Sequence, residues 1–303
     1  MRSHPVILAT SGAVCIAFSA ILVRLASVPP STAAFYRCAY ALPPLALLAL
    51  WERRRHGPPP REQRLLGLAA GVVLAADLVL WHHAIAAVGA GLATVLGNVQ
   101  VVLVPLAAWA FLHERPERRL LVAAPVTLSG VVLISGVVGA GAYGDNPALG
   151  VFYGILTAVM YAAFLLLLRA GNRDLVRPAA SVFDASLAAA AVILPIGAVL
   201  GELELGLTWP EHGWLVALAL TSQVLGWLLI TGALPRAPAA LTSVVLTLQP
   251  ALSVVLGVVL LDESPSSVQL VGVAVILGGV VLATAGGSRV SRVRPREAAA
   301  PGS

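Results

Sequence analysis

A carboxylate and two imidazoles stand inside a long apolar stretch of the chain, in the segment "AADLVLWHHAI" at residues 75–85. The stretch is long enough to cross a bilayer, where a charged side chain near the centre costs roughly 2.5–3.5 kcal/mol on insertion scales. Such a carboxylate normally faces a partner or a water-filled cavity. Asp77 could therefore carry a proton or bind an amine, or it could fix helix packing through a hydrogen bond. The sequence leaves both functions open.

Helical spacing separates the other polar side chains of this segment. Trp81 follows Asp77 by one turn, so the two share a helix face and would border the same space. His82 and His83 point roughly 140° and 240° around the helix from Asp77, because each residue advances by about 100°. We therefore expect Trp81 beside Asp77 in a site, and the two histidines in structural or interfacial positions.

Two arginines also lie in apolar segments, away from the arginine-rich loops. A guanidinium can hold a carboxylate through two parallel hydrogen bonds, which makes Arg37 a candidate binding residue. Arg24 stands near the end of its segment, and we expect it to extend to the membrane surface. Asp184 lies close to the counterpart of Arg37 in the second half of the chain, where pairing with an arginine of the preceding loop, Arg173 or Arg177, is the simplest expectation.

A second polar face occurs twice. Thr94 and Asn98 share a helix face, and Ser243 and Thr247 occupy the matching positions 149 residues later. Two repeat-related polar faces are expected of a site between the halves of a transporter, whereas hydrogen bonding between helices is the alternative. The candidate binding residues are Arg37, Asp77, Trp81, Thr94, Asn98, Tyr161, Gln223, Trp227, Ser243 and Thr247, with Asp77 as the candidate for proton coupling.

Two further pairs match at the same offset but point away from these faces. Gln100 and Gln249 are expected to contribute to helix packing. Glu114 and Glu263 end two apolar segments and each precedes a proline-containing turn, so we expect them to stabilise helix ends and loops. None of the four is included in the candidate site.

The composition indicates an integral membrane protein. Of 303 residues, 59% are hydrophobic and 11% are charged, against about 25% charged in soluble globular chains. All 19 basic residues are arginine, and 17 of them fall in the termini and in short loops of one predicted face. The basic balance is therefore explained by membrane topology signals, and binding to nucleic acid is not expected.

Apolar blocks of about 20 residues match the hydrocarbon thickness of a bilayer. Counting ten of them places the arginine-rich loops on one face, which the positive-inside rule assigns to the cytoplasm. We therefore expect a multi-pass protein of the inner or plasma membrane with both termini cytoplasmic. The predicted spans are 5–27, 32–51, 64–88, 91–112, 119–139, 148–169, 178–201, 211–233, 238–261 and 267–286.

An internal repeat relates the two halves. Residues 89–135 and 238–284 align without a gap, with 16 identities over 47 positions. The offset contains five spans, and an odd number reverses orientation, as in the inverted repeats of secondary transporters. A duplication kept only for packing would give the same pattern. The predicted fold is an all-α integral membrane protein of ten transmembrane helices in two inverted-topology five-helix repeats, at residues 1–142 and 147–286, followed by a disordered basic tail at 287–303.

Several motifs resemble one known family. The segments "ATVLGNVQVVLVPLAAWAFLHERP", "ALTSVVLTLQPALSVVLGVVLLDESP", "FYRCAYA", "ADLVLWHHAI" and "SQVLGWLLITGALPRAPAALTSVVLTLQP" resemble the EamA-type transporters of the drug/metabolite transporter superfamily. The resemblance implies two inverted five-helix halves around a cavity lined by spans 1, 3, 4, 6, 8 and 9. It also implies export or exchange of amino acids, metabolites or drugs. The family often carries proline where Val101 stands, and only the second repeat keeps it, as Pro250.

We therefore expect a secondary transporter that exports amino acids or similar small metabolites by alternating access, with proton coupling and facilitated exchange both open. "GAGAYG" at 139–144 follows a membrane span rather than a strand, so it does not indicate a dinucleotide site. The sequence shows no catalytic motif, no metal-ligand spacing and no cofactor motif. The alternatives are an intramembrane enzyme acting on a lipid-linked substrate, and a non-transporting scaffold or channel. The expected partners are a small-molecule substrate and the bilayer, and a homodimer is left open.

Overall fold

The computed structural model describes residues 5–100, 102–103, 118–139, 141–172, 176–206, 208–233 and 239–284. Every regular element in these residues is helical, in agreement with the all-α prediction. The physical reason is that a membrane segment must satisfy its backbone polar groups internally, and a helix does so within a single segment.

Six helices make up the first half of the described chain. The predicted second span is divided in two at Tyr40 and Ala41. The break precedes Pro43 and Pro44, because proline lacks a backbone donor and disfavours helical geometry in the residue before it. The helices are α1 (Pro5–Ala26), α2 (Pro30–Ala39), α3 (Leu42–His56), α4 (Arg61–Val88), α5 (Ala90–Gly97) and α6 (Arg118–Ile134).

The second half contains a helix that changes its winding. A π-helical segment at Ala219–Gly226 continues directly from α9 into α10. Such segments are rare and are frequently found at functional sites. The helices are α7 (Pro147–Gly171), α8 (Pro178–Leu200), α9 (Glu211–Leu218), α10 (Trp227–Ala233), α11 (Ala239–Leu261) and α12 (Ser267–Thr284).

The helices coincide with the predicted spans. Within the described residues, five helical segments are long and apolar enough to cross a membrane, and four shorter apolar helices coincide with spans 1, 5, 9 and 10. Span 4, predicted at 91–112, begins with α5, and most of its second half lies outside the described residues. The five long segments are Pro30–His56, Arg61–Val88, Pro147–Leu168, Pro178–Leu200 and Glu211–Thr231.

Helix α4 lies against α8 at very short distance. At Gly71 of α4, an added Cβ atom would overlap the carbonyl oxygen of Ala185 in α8. At Gly67, one turn earlier, it would lie 3.1 Å from the Cβ atom of Asp184. Small residues at crossings are the usual means of packing in membranes, because lipid provides no hydrophobic force that drives helices together. These two glycines therefore set how closely α4, which carries Asp77, approaches α8.

Helices α6 and α12 contact each other reciprocally. Gly130 of α6 faces Ile276 of α12, and Gly279 of α12 faces Thr127 of α6. At the repeat offset of 149, Gly130 corresponds to Gly279 and Thr127 corresponds to Ile276. The two contacts therefore occupy matching positions of the sequence repeat.

The bundle has two chemically different ends. We call one the arginine end, because the last turn of α3 carries Arg53, Arg54 and Arg55 there. Arg177 lies at the same end, where its guanidinium donates to the carbonyl oxygens of His56 and Gly57. We call the other the acidic end; it carries Glu202, Glu263 and Asp145 near the far end of α4.

Candidate functional site

A cavity of about 60 Å³, lined mostly by buried residues, lies between the two halves of the bundle. Seven of the ten candidate binding residues line it, and the lining side chains come from α1, α2, α4, α5, α7, α10 and α11. The helix α2 was not among the lining spans implied by the family resemblance. The cavity is lined by Ile16, Ser19, Arg37, Leu74, Asp77, Leu78, Trp81, Thr94, Gly97, Asn98, Thr157, Tyr161, Trp227 and Gln249.

Arg37 is the cation of this cavity. Its side chain is only 4% exposed, and its Nε donates to Oε1 of Gln223 at 3.0 Å while Nη2 donates to Oγ of Ser222 at 3.1 Å. Both acceptors lie in the π-helical segment. Gln223 is held in turn, because its Nε2 donates to Oγ of Ser186 at 3.0 Å. Arg37 is thus positioned by neutral groups, and no carboxylate in the described residues lies within 4.0 Å of its guanidinium.

Asp77 is the anion of the same cavity. It is 5% exposed, and within the described residues its Oδ1 has no hydrogen-bond partner. Asp77 and Arg37 are close enough for their charges to interact, but they form no ion pair. A buried carboxylate oxygen without a partner is costly unless a proton, water or ligand group meets it. The arrangement therefore offers separate attachment points for a cationic and an anionic group.

Aromatic rings form one wall of the cavity. The Arg37 guanidinium lies over the ring of Trp81, with Cζ 5.6 Å from the ring centroid. Tyr161 and Trp227 meet edge to face with centroids 6.1 Å apart. Asp77 and Trp81 border the same space, as their helical spacing predicts. Such a wall can accept apolar parts of a ligand while the two charged groups fix its orientation.

The predicted polar face of α5 is directed at the cavity. Thr94 donates to the carbonyl oxygen of Ala90 at 2.8 Å, and Asn98 Nδ2 donates to the carbonyl oxygen of Thr94 at 2.9 Å. Asn98 retains its side-chain oxygen as an acceptor. Ser243 and Thr247, the matching residues of α11, have side chains outside the described part of the chain.

The positions of two glutamines differ from those predicted from the sequence. Gln249 was expected to serve packing but lines the cavity. The expectation assumed a straight helix, and Pro250 lies inside α11, where proline bends a helix. Gln223 was expected to line the cavity, but it lies outside the lining and accepts a hydrogen bond from Arg37. Thr157, which was not recognised, stands one turn before Tyr161, and that spacing could have revealed it.

The histidines of α4 lie outside the cavity lining, as expected. His82 is buried, and neither ring nitrogen has a partner among the described residues. His83 lies near the acidic end, where its ring nitrogens are 2.8 Å from Oε1 of Glu202 and 2.7 Å from the carbonyl oxygen of Val79. Ser31 donates to the other oxygen of Glu202 at 2.6 Å. This cluster joins α2, α4 and the loop after α8.

Arg24 borders a second cavity, of about 360 Å³, at the acidic end. Tyr143 lines it too, and burial, with the nearby carboxylates Glu263 and Asp145, raises the pKa of the Tyr143 phenol. The phenol therefore keeps its proton. We call this space the vestibule. It is lined by Arg24, Ala86, Gly89, Gly141, Ala142, Tyr143, Gly144, Asp145 and Ser264.

Two acidic side chains, Asp184 and Glu263, were predicted to have structural roles outside the candidate site. Asp184 pairs with Arg64 at 3.9 Å rather than with Arg177, because Gly67 brings the start of α4 against α8; Arg173 lies outside the described residues. Glu263 binds backbone amides of α5, which confirms its predicted role at a helix end. Glu114 is outside the described residues.

Residues 4–136 and 148–285 match the EamA-like transporter family. The chain belongs to the EamA-like transporter family. The two matches cover both halves of the chain, and they confirm the resemblance that the motifs indicated. Together with the apolar helices, membership identifies a multi-pass membrane protein from a family of small-molecule transporters.

The fold is also similar to solved structures, of which 26 chains match. One, described as "Crystal structure of protein", has a TM-score of 0.63 and 19% sequence identity, and the match covers 94% of this chain and 98% of that chain. At this identity the likeness shows the fold alone. No curated protein matches the chain.

Proposed function

We propose that the protein is a secondary transporter that exports amino acids or similar small metabolites across the plasma membrane by alternating access. The observation that carries the proposal is the cavity in which the buried side chains of Arg37 and Asp77 form no ion pair with each other. Opposite charges held apart suit a zwitterion, whose carboxylate Arg37 can bind bidentately and whose ammonium group Asp77 can accept. Trp81, Tyr161 and Trp227 suit the apolar part of such a solute.

Alternating access requires the halves to rearrange around this cavity. Its volume of about 60 Å³ is well below the roughly 300–1,000 Å³ of ligand sites for drug-sized molecules, so a solute needs a wider state. The second half contributes four residues to the cavity lining, namely Thr157, Tyr161, Trp227 and Gln249. The other polar lining residues belong to the first half. A site shared by both halves changes shape when they move.

Reciprocal contacts support inverted repeats as the basis of this movement. Besides the α6–α12 contact, the end of α3 and the start of α8 are joined by Glu52, which accepts from the amides of Ala179 and Ala180. After α8, Glu202 accepts in turn from Ser31 at the start of α2. At an offset of 149, Ala180 corresponds to Ser31, and Glu202 lies one position beyond the counterpart of Glu52. The proposed repeats are residues 1–142 and 147–286.

The same arrangement suggests an orientation and a coupling residue. The arginine end carries the loops that the positive-inside rule assigns to the cytoplasm, so we place both termini there. Asp77 is the candidate proton carrier, since the cavity leaves one of its oxygens without a partner. Facilitated exchange without protons uses the same site and is distinguished by the pH gradient in the experiment below.

The test is flux of a labelled panel of amino acids and other metabolites into proteoliposomes, with and without an imposed pH gradient. Saturable uptake of a zwitterionic solute is the expected result, and its response to the gradient decides proton coupling. Empty liposomes provide the control for leakage. Absence of saturable flux across the panel, in protein verified as inserted, would contradict transport of this substrate class.

A further inference from the structure

Glu263 fastens the start of α5 to the end of α11 at the acidic end. Its Oε1 accepts from the amide of Ala90 at 2.5 Å and its Oε2 from the amide of Gly91 at 3.1 Å. The side chain is buried, and its own amide donates to the carbonyl oxygen of Gly257 at 3.1 Å. A carboxylate that accepts two amides of a helix start is a strong, charge-assisted cap. Here the cap comes from the other half of the chain.

The contact depends on two glycines at the crossing of α5 and α11. An added Cβ at Gly91 would lie 2.8 Å from Cα of Val254, and one at Gly257 would overlap the carboxylate of Glu263. The helices therefore approach so closely that the carboxylate fits between them only where side chains are absent. This fit makes the fastening specific to the present packing of the two halves.

Helix α5 lies between the two cavities. Gly89, which precedes its first residue, borders the vestibule. Thr94, Gly97 and Asn98, farther along, border the central cavity. Eight residues of helix extend over about 12 Å. A displacement of the start of α5 would therefore open a path from the vestibule to the site.

The arginine end has a matching fastening. Glu52, at the end of α3, accepts from the amides of Ala179 and Ala180 at the start of α8, each at 2.9 Å. Like Glu263, it is buried and joins a helix end of one half to a helix start of the other. The two carboxylates thus make equivalent contacts at opposite ends of the bundle.

We propose that Glu263 and Glu52 are the gating residues of the transporter, with Glu263 closing the acidic end and Glu52 closing the arginine end. The inference rests on the proposed alternating access. Opening either end separates one carboxylate from its two amides and exposes both to water at the membrane surface. The two fastenings lie at opposite ends of the bundle and share no residue, so that one can separate while the other holds.

The experiment measures access to the central cavity and needs no substrate. Thr94→Cys serves as the reporter, in a background in which Cys15 and Cys38, the two native cysteines, are alanine. A membrane-impermeant methanethiosulfonate reagent is added to vesicles of one orientation and then of the other. In a glutamine variant of either gate, an amide N–H₂ replaces one acceptor and faces the helix amides. We expect Glu263→Gln to raise labelling about tenfold from the acidic end alone, and Glu52→Gln to do so from the arginine end alone.

Two controls make the outcome decisive. Ser264→Cys, exposed in the vestibule, should label at one rate in all gate variants, and it reports which face is outside. Gly257→Ala displaces the Glu263 carboxylate without removing its charge, and it should reproduce the effect of Glu263→Gln. Equal increases from both ends, or no increase in Glu263→Gln and Gly257→Ala alike, would overturn the proposal. Side-specific labelling without flux would support the gating roles of Glu263 and Glu52 and contradict the proposed substrates. Flux with unchanged labelling would support the substrates and contradict the gating roles.

Discussion

Replacement of Arg37 by lysine tests the proposed carboxylate contact most directly. The guanidinium has five N–H donors, of which the contacts with Gln223 and Ser222 use two. Since the guanidinium makes no other hydrogen bond to the described residues, its remaining donors can meet a carboxylate. Lysine presents its donors on one nitrogen and cannot hold both anchors and a carboxylate in fork geometry. One lost hydrogen bond to a charged group is worth about 1.5–3 kcal/mol, which corresponds to about a 10- to 150-fold rise in the half-saturation concentration.

The assay compares two solutes in proteoliposomes. L-Alanine carries the carboxylate, whereas alaninamide keeps the ammonium group and lacks it. Arg37→Lys should weaken uptake of L-alanine by the stated factor and leave alaninamide unchanged. Arg64→Lys is the matched control, because Arg64 is largely exposed and its contact with Asp184 is long. Equal losses for both solutes would mean that Arg37 supports the fold rather than the substrate, and no loss would remove it from the site.

Three further predictions concern the same architecture. Asp77→Asn should insert and fold, as judged by size-exclusion chromatography, while flux no longer responds to a pH gradient; a variant that fails to fold would show that Asp77 is structural. Gln223→Glu places a carboxylate beside Arg37 Nε and should weaken apparent solute affinity at least about tenfold, by competition for the guanidinium; unchanged affinity would contradict the contact. Gly71→Leu forces a side chain into the backbone of α8 and should destabilise the protein by about 1–3 kcal/mol or more in detergent melts, whereas Gly278→Ala, with no atom within 4 Å of its added Cβ, should not.

The sequence was sufficient for features that depend on one helix at a time. The spans follow from hydropathy, because the bilayer requires long apolar segments with satisfied backbones. Asp77 and Trp81 border one space because residues four apart share a helix face. Thr94 and Asn98 reach the same cavity for the same reason. Each of these placements needed only the helical period.

The sequence was insufficient where the winding of a helix departs from the regular α-helix. The break at Tyr40 and Ala41 follows from the prolines after it, but the π-helical segment has no comparable sequence signal. That segment presents Ser222 and Gln223 together toward Arg37. From the sequence, Gln223 was instead predicted to line the site. The position of Gln249 failed for a similar reason, next to a proline.

What the sequence by itself determined is the membrane class, the helical spans, the repeat and the polar residues that face inward along each helix. Only the tertiary structure decided their partners: Arg37 meets Gln223 across 186 positions of the chain, Asp184 meets Arg64, and Glu263 and Glu52 bind amides of helices in the opposite half. These contacts depend on which helices cross and how closely. Crossing distance is set by glycines together with the residues that face them on another helix, and a pattern within one segment does not contain that information.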